Sequence, residues 1–165
     1  MSQVVTSKTL LTTLSMIYFA LVFVMTFFGV VVLYLNYSGT NEIVPNDDFT
    51  QMLQYVLFVL TPVGIGTGYF IFKQQLSSIE SGLTLRQKLN KYQTAILIRS
   101  ACLELPGLFG AVAAMITGVN TFLLFTLAII IIFIIVRPTP FTITNDLGLS
   151  PTEKFILENP AGKID

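Results

Sequence analysis

Histidine and tryptophan are missing from this sequence, and it holds one cysteine, Cys102. Without histidine, and with a lone thiol set inside an apolar run, the chain has no material for a disulfide framework, a zinc centre or a histidine-ligated haem. Charge is scarce as well. Nine basic and nine acidic residues cancel, leaving 11% of the chain charged where a soluble domain carries roughly 25%. No basic block exceeds a few residues, so an electrostatic grip on nucleic acid has no support. A serine or cysteine nucleophile would need a base beside it, and none is placed to serve, so the chain reads as non-enzymatic and without a cofactor.

What fills the sequence is apolar: 53% of residues are hydrophobic, and they fall in continuous runs instead of the one-sided stripe of a soluble helix. Four runs long enough to matter give the expected fold, an all-α membrane protein with four transmembrane helices in a small bundle. The expected spans are residues 10–35, 52–72, 99–117 and 121–136. The first exceeds the roughly 20 residues that cross a bilayer and is too long for a signal-peptide core, so it is expected to stay as a span. Thr12, Thr13 and Ser15 near its start should bond back to helix carbonyls. A turn-rich stretch, 36–50, follows with Glu42, Asp47 and Asp48 and no lysine or arginine, and Asp47 or Asp48 is placed to cap the next helix.

Span two carries Thr61-Pro62-Val63-Gly64-Ile65-Gly66-Thr67-Gly68, where proline removes a backbone donor and the glycines admit a close neighbour. Beyond Lys73 comes a basic polar loop. Helical character resumes near Leu83 with Leu85, Leu89, Tyr92 and Ile96 on one side and Arg86, Lys88, Asn90 and Lys91 on the other, a stem over 83–98 leading into span three. That span should end in the turn Thr117-Gly118-Val119-Asn120. Residues 1–136 form the membrane domain and 137–165 a tail, in which Ser150-Pro151-Thr152-Glu153 is a capping box that starts a short helix over about 151–159.

Lys8, Lys73, Arg86, Lys88, Lys91, Arg137, Lys154 and Lys163 all fall on the side that an even number of spans returns to. This predicts a multi-pass protein of the bacterial inner membrane with both termini cytoplasmic. Arg99, Lys73 and Arg137 are then interface anchors, with Arg99 snorkelling toward the head groups.

One stretch departs from this pattern. Arg99-Ser100-Ala101-Cys102-Leu103-Glu104-Leu105-Pro106-Gly107 puts a carboxylate and a proline inside a span, where a charge costs roughly 2.5–3.5 kcal/mol on insertion scales. On a helical wheel Glu104 aligns with Ser100, Gly107, Ala111 and Gly118, a face suited to a neighbouring helix. Gly64, Gly66 and Gly68 fall near its depth. The expectation is therefore that Glu104 packs against the glycines of span two, bonding Thr61, Thr67 or a carbonyl freed by proline. It would serve there as a structural acid, or as the ligand of a proton or sodium ion beside the backbone loosened by Pro106. Partners are the lipid bilayer and, with so little room in one small bundle, other membrane subunits or further copies of the chain.

Two resemblances follow from these residues. The stretch 85–95 followed by Ile98-Arg99, Glu104, Pro106-Gly107-Leu108-Phe109, Thr117-Gly118 and Asn120, with Arg137-Pro138, Asp146-Leu147 and Ser150 beyond, resembles a pattern of small uncharacterised bacterial four-helix membrane proteins. It covers about residues 85–159 and implies four spans but no activity. In architecture, a glycine-rich helix, a loop with Arg86-Gln87 and a helix bearing a glutamate resemble the proteolipid subunit of rotary ATPases. That likeness implies Glu104 as the ion-binding carboxylate. The chain departs from the proteolipid pattern in its short glycine run, in lacking proline after Arg86-Gln87, and in helix pairs that do not repeat.

Overall fold

The computed structural model describes residues 5–39, 46–80, 82–159 and 163–164. It is all-α in architecture: α1 (Ser7–Tyr37), α2 (Asp47–Ser77), α3 (Leu85–Thr117), a 3₁₀ turn (Asn120–Phe122), α4 (Leu123–Ile135), α5 (Pro140–Leu147) and α6 (Pro151–Glu158). Two residue pairs, Val5 with Ile164 and Thr6 with Lys163, join β1 (Val5–Thr6) to β2 (Lys163–Ile164) in an antiparallel ladder. Helices α1, α2 and α3 are each long and apolar enough to cross a membrane. The pair formed by 120–135 and α5, bent by 75°, makes a fourth only if it counts as one span.

Local chemistry sets the boundaries. Asn46, not Asp47 or Asp48, is the N-cap of α2, its side chain accepting from the Phe49 amide at 3.1 Å. The two aspartates occupy the first turn instead, where their charge meets the positive end of the helix. Thr84 and Gln87 close a reciprocal box at the start of α3. Its end is Gly118 with φ 71, the left-handed conformation that glycine adopts without strain. Thr13 bonds back to Thr9 as expected, while segment 40–45, with Glu42, lies outside the described residues.

The third helix is the axis of the bundle, running unbroken through Pro106 for 33 residues, about 50 Å at 1.5 Å per residue. α2 packs along one side and α1 and α4 along the other. One core, around Val32, Leu53, Leu57, Ala113 and Phe122, fills the end near the α3–α4 turn. At this end Asn36 donates to the Ala114 carbonyl at 3.1 Å and to Asn120 at 2.9 Å, tying α1 to the turn.

The larger core fills the other end, where Tyr18, Phe72, Leu89, Tyr92 and Phe133 meet Ile143 and Leu157 from the tail. The tail thus belongs to the fold and contains two helices instead of one. Helix α5 begins on Thr139-Pro140, whose box is closed by Thr142, and stops at left-handed Gly148; Ser150 and Glu153 then start α6 as expected. Fourth-helix residues Thr126, Ile129 and Phe133 are buried, so α4 has an inward face despite its uniform composition.

Candidate functional site

Glycine and proline bring α2 and α3 together, but on a different face of α3 from the one carrying Glu104. Proline at 106 has no amide hydrogen, which leaves the Cys102 carbonyl without its helical donor. A Cβ built on Gly64 would lie 2.8 Å from that carbonyl oxygen and 3.2 Å from Pro106, so the freed oxygen is pressed against the bare backbone of α2. This is the close Cα–H···O approach found where helices cross on small residues. Gly68 sits one turn further on, against Cys102 and Arg99, while Gly66 faces open space.

The α2-facing residues are therefore Arg99, Cys102 and Pro106, spaced by three and four. Glu104 follows Cys102 by two residues, about 200° round the helix, and points away from the glycines. Gly107, on the Glu104 side, packs instead against Met25 of α1 and Ile129 of α4. Glu104 is half-buried, and among the described residues no hydrogen bond or ion pair reaches its carboxylate. Ser100, one turn before it, is 1% exposed with an unpartnered hydroxyl. Thr61 also keeps a buried, unpartnered hydroxyl, and Thr67 is exposed. The structure thus groups Pro106 with Gly64 and Gly68, and leaves Glu104 apart from them, one turn from the buried Ser100.

Arg99 does not snorkel outward. Its Nη2 donates to the Val136 carbonyl at 2.7 Å, holding the last turn of α4, and its guanidinium carbon stacks 4.2 Å from the Phe72 ring centroid. The Tyr18 hydroxyl faces the same guanidinium. Arg99 Nε is nevertheless buried without a partner. Beside it opens a cavity of about 210 Å³, walled by Tyr69, Phe72 and Tyr92, with Lys73 and Asp146 on its rim. The Tyr92 hydroxyl donates to Asp146 at 3.0 Å, and Lys73 lies 5.7 Å over the Tyr69 ring. Arg137 lines a separate hollow with Tyr18 and Phe133.

Tyr18, Tyr92 and Asp146 had no sequence signal as a group. Tyr92 and Asp146 meet only because α5 folds back against α3, a long-range event that local patterning does not report, and Tyr18 reaches Arg99 from α1. Comparison with protein families, curated proteins and solved structures finds no match for this chain.

Proposed function

We propose that the chain is a non-catalytic integral membrane protein of four spans, with both ends cytoplasmic in a bacterial inner membrane, serving as an accessory or assembly subunit of a larger complex. The observation that carries this reading is Glu104. A carboxyl at membrane depth needs a hydrogen-bonding partner, and among the described residues Glu104 has none. A second subunit supplying a polar group satisfies the half-exposed Glu104 carboxyl.

The ion-ligand reading of Glu104 is weaker, because a cation site needs carbonyl oxygens as well as a carboxylate. The oxygen that Pro106 frees is already closed off by Gly64. The two readings separate on Glu104→Gln, which keeps hydrogen bonding without the titrating charge, and Glu104→Leu, which keeps neither. Purified in mild detergent, the wild-type chain and the Gln variant are expected to share one assembly mass while Leu dissociates. Assembly unchanged in Glu104→Leu overturns the subunit reading. Normal assembly of Glu104→Gln with loss of proton or sodium flux in reconstituted vesicles moves the assignment to an ion ligand. A cysteine placed at Asn46 in a Cys102→Ala background should react only with reagent outside the cell, and labelling from the cytoplasm would reverse the orientation.

A further inference from the structure

We infer that the cavity between Lys73 and Arg99 binds a phosphodiester group, the head group of an anionic phospholipid being the source its charge fits. The inference goes beyond the subunit assignment and uses neither Glu104 nor Ser100.

Two cations border this cavity, and among the described residues neither makes an ion pair. For Lys73, at the exposed end of α2, that is unremarkable. For Arg99 it is not. The guanidinium is stacked on Phe72 and bonded to a neutral carbonyl, and its Nε donor is buried with no acceptor. A guanidinium in such a place is stabilised by an anion that takes two of its donors at once, and phosphate oxygens have that geometry.

The carboxylate of Asp146, on the rim, selects among anions. Asp146 is held there by the Tyr92 hydroxyl and does not pair with either cation. Two positive charges and one negative leave a single positive charge, which matches the one negative charge of a phosphodiester better than a phosphate dianion. Tyr69 and Phe72 supply aromatic walls, as expected where a head group meets the apolar layer. A choline head group would bring a further cation toward Lys73 and Arg99, so phosphatidylglycerol should be preferred over phosphatidylcholine.

The test uses the full chain purified in detergent and offered phosphatidylglycerol, phosphatidylcholine or inorganic phosphate, with bound molecules counted by native mass spectrometry. Phosphatidylglycerol is expected to bind in preference to phosphatidylcholine. Lys73→Gln should weaken it by roughly fivefold, the worth of one interfacial charge, and Arg99→Gln by at least as much. Because Arg99 also holds α4, Lys73→Gln, with its thermal midpoint checked, is the deciding variant. Binding of inorganic phosphate that is lost in Lys73→Gln would support the site with free phosphate as its source. Equal binding of the two lipids without phosphate binding, or wild-type binding by Lys73→Gln, overturns the inference. Neither arm depends on assembly through Glu104, so each proposal can fail while the other stands.

Discussion

Lys88 and Glu153 stand 65 residues apart in the sequence and 2.8 Å apart in the fold. Lys88 is 7% exposed on α3, and its ammonium meets the carboxylate at the third position of α6. The same carboxylate accepts from the Ser150 amide at 2.8 Å. One side chain thus closes the cap of α6 and fastens that helix to the axis of the bundle.

Glu153→Gln separates these roles, since glutamine can still accept from Ser150 but leaves a buried ammonium without its counter-charge. The expected loss is about 1.5–3 kcal/mol in docking of the tail, the range for a hydrogen bond to a charged group. Protease sensitivity of the α5–α6 segment would report it, and an unchanged cleavage rate would count against the pair.

The same contact sets a pH dependence. The hydrogen bond from Lys88 is the largest cause holding the Glu153 carboxyl below its ordinary range, against a smaller opposing effect of burial. A carboxyl lowered in the folded state stabilises above its unfolded pKa, and that stability is lost as pH falls through the lowered value. Docking of α6 should be intact at neutral pH and should loosen only below about 4, near and under the free glutamate value. Hydrogen exchange of the Phe155–Leu157 amides, corrected for intrinsic rates, should show this step, and Lys88→Met should flatten it.

The glycines of α2 predict unequal penalties. Gly64→Ala drives a methyl to 2.8 Å from the Cys102 carbonyl oxygen, backbone against backbone, whereas Gly66→Ala meets nothing within 4 Å. The first should cost about 1–3 kcal/mol, the usual range for overpacking, and the second should be near neutral. Thermal unfolding in detergent compares them directly; equal midpoints would refute the close approach of α2 and α3.

Thr126 donates to the Gly107 carbonyl at 2.7 Å while 2% exposed. Thr126→Val keeps the shape and removes the donor, so α3·α4 packing should weaken by about 0.6 kcal/mol, the average for a hydrogen bond between membrane helices. A shift in the unfolding midpoint comparable to that of Gly64→Ala would mean that the threonine carries more than this bond.

Much of this fold was legible from hydropathy and caps. Runs of apolar sequence located α1, α2 and the buried part of α3, and Gly118 and Ser150 marked ends that the structure keeps. Helix α5 escaped notice because its box ends in Thr142, where glutamate or glutamine is the recognisable signal. Gly64 and Gly68 announce the meeting of α2 with α3 in sequence, but not the residue that faces them. Periodicity says which residues share a side of α3 without saying which neighbour that side meets, and Cys102 and Glu104 lie on opposite sides. In sequence Arg99 has the look of a surface anchor, because its inward partners, Phe72 and the Val136 carbonyl, come from other helices.

The placement of α3 as axis bears on truncation of the chain. α1 and α2, although consecutive in the chain, pack chiefly against α3 and much less against each other. Without α3 those two helices lose their main seam, and Gly64 has no Pro106 to meet. The packed state of α1 and α2 therefore requires the third helix, and a fragment that ends before residue 85 lacks the surface on which both of them pack.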